Sequence, residues 1–360
     1  MRKIFILLLT LILLLIPGCI IPGCSMSTDG GVFKSEDGGD TWRQKIVIDE
    51  KTTIAGLNIR DIEISKDNSQ IIYIGTSGAG MYKTENGGDS WQKIVDQDHN
   101  LASNATIYDI TQDPQKSDIL YVASFQEKQG KVLKSSNQGE SWEVIYRQAK
   151  QDVSVTQVKV NPKNPKLVYI TTSNGGILES TDYGTTWRPL KWFDKRVTEL
   201  VIDQYDPKTL YVILESQSIM KSEDGGVMWQ ELTLDKKEYN IKTIYEILLD
   251  PSRESVIYFT SDYGLFRSTN KGDSWSYIST PVAPDSVSIM SLVIDPKNSN
   301  TIYFGADSII YKSEDFGKNW KTTEIPTKRG IKVLVMDPEN SNIIYTGTYQ
   351  TEESRSIFFP

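Results

Sequence analysis

Acidic and amide side chains recur at one place in a repeated segment of this chain. Seven segments align, starting at residues 58, 106, 154, 196, 243, 288 and 330, and each has apolar residues at its second and fifth places. Carboxylates that lie close together raise one another's pKa, as general acid catalysis requires, and they also attract cations, basic peptides and sugar hydroxyls. The fourth place holds Asp61, Asp109, Gln157, Glu199, Glu246, Ser291 and Val333.

The third place of the same segments contributes one arginine and two tyrosines. The predicted rim site therefore comprises Arg60, Asp61, Tyr108, Asp109, Gln157, Glu199, Tyr245 and Glu246. Three interpretations remain open: a merely polar surface, a mouth that binds a cation, basic peptide or sugar, and a hydrolase. The hydrolase would use two of the carboxylates, with Tyr108, Tyr245 or Trp192 stacking on the sugar.

A second repeat in the sequence indicates the turns and strands that must position these residues. "KSEDGGDTW" (34–42) returns as "KTENGGDSW", "KSSNQGESW", "ESTDYGTTW", "KSEDGGVMW", "RSTNKGDSW" and "KSEDFGKNW", at intervals of 42 to 51 residues between the tryptophans. The template is Ser/Thr-x-Asp/Asn-x-Gly-x-x-Trp. It predicts a turn in which glycine supplies a positive φ and the hydroxyl and carboxylate bind backbone amides. Its third position holds Asp37, Asn86, Asn137, Asp182, Asp224, Asn270 and Asp315.

Asparagine at three of these seven positions fits a hydrogen-bond acceptor better than a metal ligand or a catalytic acid, so we predict no metal, although calcium is the alternative. A lysine or arginine precedes six of the motifs, and we expect it to contact solvent. Upstream of each motif come an apolar strand, an Asp/Asn-Pro turn in most repeats, and a strand with a central tyrosine, such as Tyr73 in "IIYIGT".

Four antiparallel strands in about 45 residues, repeated seven times, are typical of a β-propeller. We predict an all-β, seven-bladed propeller over residues 30–360, with the repeated motif between strands 3 and 4 of each blade. One blade would be assembled from both chain ends, which leaves no open sheet edge. "SIFFP" (356–360) would compete with residues 32–35 for the third strand of that blade.

The first residues predict export. Arg2 and Lys3 precede an apolar run, as in a signal peptide, and two copies of Ile-Pro-Gly-Cys follow. The chain would comprise a lipoprotein-type signal (1–18), a tether (19–29) and the propeller. We predict lipidation of Cys19, with Cys24 as the alternative site and a plain uncleaved anchor as the alternative mechanism. The protein would be held on the extracytoplasmic face of a membrane.

Charge and composition exclude several functions. The balance of 39 basic and 47 acidic residues gives a net charge of −8, which argues against nucleic-acid binding. His99 is the single histidine, which argues strongly against mechanisms built on a histidine base or on several histidine ligands. Both cysteines lie in the leader, so the body has no internal disulfide.

The nine-residue motif resembles the Asp-box, or BNR repeat, over the chain from about Asp29 to its end. Similar boxes occur in sialidases, family 74 xyloglucanases, sortilin-type receptors and the photosystem II stability/assembly factor family, which this chain resembles most in size. The resemblance implies a propeller whose boxes lie away from the ligand-binding face. The arginine trio and Phe/Tyr-Arg-Ile-Pro motif of sialidases are absent, and xyloglucanases normally have two propellers.

These observations predict a non-enzymatic binding or assembly scaffold that uses the propeller rim. The partner would be an envelope protein or an extracellular polysaccharide, and we expect a monomer with no cofactor. The alternative is a xyloglucanase-like glycoside hydrolase with a carboxylate pair.

Overall fold

The computed structural model describes residues 28–215, 217–234 and 238–350. These residues form 28 strands in seven four-stranded antiparallel sheets. They contain no helix, and so none that could cross a bilayer. The innermost strands of neighbouring sheets contact one another in a closed cycle, so the predicted seven-bladed β-propeller is confirmed.

The blades are numbered here from the one that contains both chain ends, and their strands are given from the channel outward. Blade 1 comprises β27 (Gly330–Met336), β28 (Ile344–Tyr349), β1 (Val32–Ser35) and β2 (Arg43–Lys45). Blade 2 comprises β3 (Ile59–Ile64), β4 (Ile72–Thr76), β5 (Met81–Thr84) and β6 (Gln92–Lys93). Blade 3 comprises β7 (Thr106–Gln112), β8 (Leu120–Gln126), β9 (Gln129–Ser135) and β10 (Glu143–Arg147).

The remaining four blades follow the same order. Blade 4 comprises β11 (Val155–Val160), β12 (Val168–Thr172), β13 (Gly176–Ser180) and β14 (Arg188–Trp192). Blade 5 comprises β15 (Val197–Ile202), β16 (Leu210–Leu214), β17 (Ser218–Ser222) and β18 (Gln230–Glu231). Blade 6 comprises β19 (Ile244–Leu249), β20 (Ile257–Ser261), β21 (Leu265–Ser268) and β22 (Ser276–Ile278). Blade 7 comprises β23 (Ile289–Ile294), β24 (Ile302–Ala306), β25 (Ile309–Ser313) and β26 (Lys321–Glu324).

Blade 1 closes the ring because strands from the two ends of the chain pair in it. β1 runs antiparallel to β28, with Val32 opposite Gly347 and Ser35 opposite Ile344. The predicted signal peptide, Cys19, Cys24 and the "SIFFP" strand lie outside the described residues.

The apolar core lies between blades. Each of seven buried clusters joins side chains of two neighbouring blades. Ile107 of blade 3 packs so closely on Gly75 of blade 2 that a Cβ at Gly75 would lie 2.7 Å from its Cγ2. The second and fifth places of every inner-strand segment are buried, so each strand contributes to this packing.

The Asp-box turns are built by the same hydrogen bonds in all seven blades. In blade 1 the Ser35 hydroxyl donates to Asp37 Oδ1 (2.9 Å) and accepts from the Gly39 amide (2.8 Å), while Asp37 Oδ1 also accepts from the Thr41 amide (2.8 Å). Asn86 of blade 2 accepts the equivalent amide of Ser90 at 2.9 Å, so asparagine replaces aspartate without loss of the turn. Within the described ranges, no three His, Cys, Asp or Glu side chains cluster to hold a metal ion.

Two consecutive positions of each box have positive φ. Gly39 has φ of 89° and faces the Tyr303 ring, so a side chain there would be strained and crowded. The position before it is also left-handed, although four boxes place a larger residue there. These residues are Gln138, Tyr183, Lys271 and Phe316.

The boxes identify one face of the ring. The Gly38 amide of the blade 1 box donates to the Asn342 carbonyl in the turn between β27 and β28, and the other six boxes make the equivalent bond. The boxes and the Asp/Asn-Pro turns therefore lie at the same ends of the strands, here called the box face. The inner strands begin at the opposite face, here called the mouth face.

The repeated tyrosine of the second strand links neighbouring blades on the box face. The Tyr303 hydroxyl of blade 7 donates to the Gly38 carbonyl in the box of blade 1 (3.0 Å), and Tyr345 of blade 1 donates to Gly87 in the box of blade 2 (3.1 Å). Tyr73, Tyr121 and Tyr211 make the same contact with the following blade. Five of the seven tyrosines therefore connect one blade to the next.

The predicted solvent exposure of the basic residue before each box is wrong for Lys34 and Lys221, which are only 7% and 3% exposed. Lys34 is covered because its ammonium pairs with Glu36 (2.9 Å) and lies over the Tyr345 ring. The four-carbon stem is thus buried between the blade and the box while the charge is neutralised at the edge.

Replacing Tyr303 by Phe should lower the free energy of unfolding by about 1 kcal/mol, because the Gly38 carbonyl loses its buried partner. The matched control is Tyr258→Phe, because its buried hydroxyl has Arg267 near it but makes no hydrogen bond of normal geometry within the described chain. Urea unfolding of both variants tests this expectation. Equal losses in the two variants would contradict a linking role for the tyrosine.

Candidate functional site

A β-bulge in every inner strand turns the third and fourth places toward the channel. In β3 the pairing register shifts between Ile59 and Asp61, and the other six inner strands shift at the equivalent place. The extra residue lets the buried second and fifth places share a side while the two residues between them line a cavity. All eight predicted rim residues line this cavity of about 290 Å³, together with Thr156, Lys159, Arg196, Thr198, Met290 and Lys332.

Each acidic or amide side chain of the fourth place accepts a hydrogen bond from the inner strand of the next blade. Asp61 accepts from the Ile110 amide (2.6 Å), and Asp109 from Val158 (2.8 Å). Glu199 and Glu246 accept in the same way from Ile247 (2.8 Å) and Leu292 (2.7 Å), and Gln157 accepts from Leu200. The innermost strand is a sheet edge, so these side chains satisfy amides that have no partner strand.

This acceptor ring is interrupted on both sides of blade 1. Ser291 of blade 7 is buried and its hydroxyl makes no hydrogen bond in the described part of the chain, and Val333 of blade 1 has no polar atom to offer. The Ile62 amide of blade 2 turns instead to its own neighbour Asp61 (2.9 Å). The ring therefore has five cross-blade links in seven interfaces.

Burial raises the pKa of Asp61, Glu199 and Glu246. Burial, with the Asp109 charge adding to it, raises the pKa of Asp61 to about 7. Burial alone raises the pKa of Glu246 to about 7, against the opposing effect of its bond from Leu292. The pKa of Glu199 rises because of burial and the charge of Glu246. Near neutral pH part of this ring therefore carries protons.

Lys159 is the cation nearest the ring. Its ammonium pairs with Asp109 Oδ1 at 2.7 Å. Burial favours the neutral amine, but Asp109 and Asp61 outweigh it and raise the pKa of Lys159 above its ordinary value. Lys159 is therefore committed to the carboxylates and is not available to a ligand as a free charge.

Three other cations at the mouth have no carboxylate partner. Arg60, Arg196 and Lys332 line the cavity, and none forms an ion pair within 4.0 Å among the described residues. Arg60 lies over the Tyr108 ring at 4.4 Å and donates to the Ser77 hydroxyl (3.2 Å), so its side chain is held in place. Burial and the Arg60 charge lower the pKa of Lys332.

Arg196 and Tyr245 lie farther round the mouth. The Arg196 Nε is buried and donates to no atom in the described chain. The Tyr245 hydroxyl shares a hydrogen bond with Ser288 (2.9 Å), which fixes its ring at the cavity wall. An unpartnered guanidinium nitrogen beside a fixed aromatic ring is suited to an anionic or hydroxyl-bearing ligand.

Sequence reasoning found the acidic layer but missed three of the four cations in the lining. Arg196 occupies the first place of its segment, outside the two places that the alignment selected. Lys332 occupies the third place of its segment, as Arg60 does, so the alignment contained the signal. Lys159 follows the fifth place and gave no such signal. Trp192 lies half-exposed on the outer strand of blade 4 and does not line the cavity. His99 is exposed in the connection between blades 2 and 3.

Formal charges in the cavity lining cancel when all groups are ionised. Four carboxylates, Asp61, Asp109, Glu199 and Glu246, face four cations, Arg60, Lys159, Arg196 and Lys332. Near neutral pH, the raised pKa values of Asp61, Glu199 and Glu246 reduce the negative charge of the lining, whereas the lowered pKa of Lys332 disfavours its positive charge. An anionic group placed in this cavity would favour the protonated form of the nearby carboxyls.

The comparison with family models identifies the family of this chain. The Sortilin-Vps10 model (sortilin, neurotensin receptor 3) matches residues 30–175 and 263–357, well over half of the chain. The chain belongs to the Sortilin-Vps10 family. A second model, the DUF6242 beta propeller domain, matches residues 115–254. The comparison with curated protein sequences gives no match.

Solved structures similar to this Sortilin-Vps10 family member include GH74 enzymes, YCF48 and the extracellular domain of BT4673. The GH74 enzyme of Niastella koreensis aligns with a TM-score of 0.67 and 17% identity, over 81% of this chain and 51% of the enzyme. YCF48 bound to D1 peptide aligns with a TM-score of 0.63 and 15% identity, over 82% of this chain and 94% of YCF48.

The extracellular domain of BT4673 from B. thetaiotaomicron has a TM-score of 0.63 and 14% identity, over 85% of this chain and 39% of that domain. The chain thus spans about half of the GH74 enzyme and nearly all of YCF48. At these identities the structures share the fold, and the resemblance to Asp-box propellers of the sortilin and photosystem II assembly factor types is confirmed.

Stability should fall as pH rises through the region of the raised pKa values. The folded-state pKa values of Asp61 and Glu246, about 7, exceed the unfolded values of about 4, so their contribution is complete below pH ~4 and is lost as pH passes ~7. We expect the free energy of unfolding to drop by roughly 1–3 kcal/mol between pH 5 and pH 8. In Glu246→Gln the drop should be smaller, because the amide oxygen still accepts from Leu292, as Gln157 does from Leu200.

Denaturant unfolding at several pH values measures this slope, with Glu140→Gln, an exposed box residue, as the matched control. An unchanged slope in Glu246→Gln would contradict the assignment. The box carboxyls act in the opposite direction: hydrogen bonds lower the pKa of Asp37, Asp182 and Asp315 to about 2, so their contribution is lost only in acid.

Proposed function

We propose that this chain is an exported, membrane-held binding module that takes an anionic group of its partner at the channel mouth and performs no chemistry on it. The observation that carries the proposal is the contrast between the two charged sets. Arg60, Arg196 and Lys332 face the cavity without an ion pair, whereas the carboxylates accept bonds from strand amides.

An anionic partner fits better than the cationic partner that the acidic sequence pattern suggested. A cation would have to compete with the Ile110, Val158, Ile247 and Leu292 amides for the carboxylate oxygens. An anion meets charges that have no carboxylate partner among the described residues, and a guanidinium can bind a carboxylate through two hydrogen bonds. Such a bond between desolvated partners contributes more than an exposed ion pair.

The partner class follows from the predicted location outside the cytoplasm. An acidic segment of an envelope protein or an acidic extracellular polysaccharide supplies the required carboxylates, and nucleic acid is disfavoured by the net charge of −8. YCF48 supports a binding role, because this chain spans 94% of it and its structure holds a D1 peptide. We expect the module to act as a monomer without a cofactor.

A glycoside hydrolase is the second candidate, and two observations favour it. The pKa values of Asp61 and Glu246, raised to about 7, are suited to a general acid. GH74 enzymes are also among the similar structures, although this chain spans only about half of them. One observation argues against a hydrolase. Each ring carboxylate accepts a hydrogen bond from an amide of the neighbouring blade, which restricts the side chain that would have to transfer a proton.

The Lys332→Met and Arg60→Gln variants should bind a glutamate-rich peptide at least tenfold more weakly than the wild type, because each loses one unpaired charge at the mouth. Affinity should also fall as salt is added. Fluorescence anisotropy with the labelled peptide and its glutamine counterpart measures both effects. Lys318→Met, which removes an exposed charge on the box face, is the matched control.

The hydrolase is tested on the same preparations. Purified protein is screened for sugar release from neutral and acidic polysaccharides, followed by Asp61→Asn and Glu246→Gln. These variants keep an oxygen that accepts the strand amide, so the fold is retained. Robust release that disappears in one of them would overturn the binding proposal. Equal binding of the acidic and neutral peptides would also overturn it.

Changing Cys19 to Ser should release the protein from the membrane or block its processing, because two or more acyl chains anchor stably and each buried CH₂ contributes roughly 0.8 kcal/mol. Membrane fractionation of cells that make the full chain measures the effect, and Cys24→Ser is the matched control. Release by Cys24→Ser alone would place the lipid on Cys24. Retention of both variants would indicate a plain anchor.

A further inference from the structure

The described chain enters the propeller on the mouth face. The Gln44 amide group donates to the carbonyls of Thr28 (2.7 Å) and Gly30 (2.8 Å), and the Gly56 amide donates to Asp29 (2.9 Å). Gly56 belongs to the connection that leads into β3, which starts at the mouth. Residues 28–30 are therefore fixed among the connections of the mouth face.

The entry point lies beside two of the unpaired cations. Arg329, just before β27, donates to the Gly56 carbonyl (2.8 Å), the Leu57 carbonyl (3.2 Å) and Asn58 Oδ1 (2.9 Å). It thereby joins the starts of β27 and β3. Lys332 lies on β27, three residues after Arg329, and Arg60 lies on β3, two residues after Asn58.

Chain length limits how the ring can sit on a membrane. Only residues 20–28 separate Cys19 from Asp29, and nine extended residues span at most about 30 Å. Inner strands of six or seven residues are about 20 Å long, and the turns add to that depth. If the box face lay against the membrane, the tether would need nearly its whole length to cross the depth of the ring. If the mouth face lies against the membrane, the tether does not have to cross that depth.

We propose that the mouth face is held toward the membrane and that Arg60 and Lys332 bind an acidic segment of a protein anchored in that same membrane. This inference rests on the proposed function and its lipid anchor. It adds the orientation of the ring and the source of the ligand.

A protein segment fits the mouth better than an anionic lipid surface does. The two cations lie within a cavity, which an extended chain can enter and a flat bilayer cannot. Because both proteins share one membrane, the second binding event occurs at a high effective concentration.

The orientation of the ring on the membrane is tested with fluorescent labels at two exposed valine positions, one on each face. Val287 is 40% exposed beside the mouth residue Ser288, and Val227 is 68% exposed in a box turn. The full lipidated chain with Cys24→Ser receives either Val287→Cys or Val227→Cys, is labelled with a fluorophore, and is placed in phosphatidylcholine vesicles containing a headgroup quencher. We expect at least twofold stronger quenching at position 287.

Equal or stronger quenching at position 227 would overturn the orientation while leaving the anchor intact. Protein that does not float with the vesicles would overturn the anchor and the orientation together. The two failures are therefore distinguishable.

The ligand source is tested in the same vesicles. A labelled single-span peptide with a glutamate-rich outer segment is added, and energy transfer from position 287 is measured against its glutamine-rich counterpart. We expect transfer only to the acidic peptide, and its loss in Lys332→Met but not in Lys318→Met. Equal transfer to both peptides would overturn the proposal, as would Lys332-dependent binding to phosphatidylglycerol vesicles without peptide.

Discussion

The unpaired amides of the innermost strands are the constraint on which this propeller depends. Each inner strand presents one edge to the channel, where no further strand can pair with it, and a buried amide without an acceptor costs roughly 1–3 kcal/mol. In five of the seven blades the chain solves this with one side chain, which is placed by a β-bulge. Asp61, which reaches Ile110, represents the arrangement in five of the seven interfaces.

The need to satisfy these amides also determines which charged side chains at the mouth are already hydrogen-bonded within the protein. The carboxylates are needed between blades, where burial raises the pKa of Asp61, Glu199 and Glu246, and the charge of Lys159 opposes this rise. The cations that remain, Arg60, Arg196 and Lys332, line the cavity without an ion pair among the described residues. The acidic pattern in the sequence therefore coincides with the side chains that join neighbouring blades.

Most of the fold could be predicted from the sequence because the box motif is local. Its Ser and Asp side chains accept hydrogen bonds from amides four residues later, one of which belongs to the Gly, so a nine-residue pattern is sufficient to identify the turn. Asp109 could likewise be placed on the channel from the period of the apolar residues. Its partners could not, because Val158 and Lys159 lie about 50 residues away in another blade and no local pattern encodes that pairing. The link from Tyr303 to Gly38, 265 residues apart, was missed for the same reason.

The gap in the acceptor ring at Ser291 and Val333 has a dynamic consequence. Blade 1 lacks the cross-blade link to each of its two neighbours. It is joined to them instead by the hydrogen bonds of Arg329 and by those of the tyrosines at the box face. Opening fluctuations should thus begin at the seam formed by the two chain ends, with the inner edge of β27 exchanging its amide hydrogens before the other six inner strands. A ring that loosens at its own point of closure can widen its mouth beside Lys332 without unravelling any other blade.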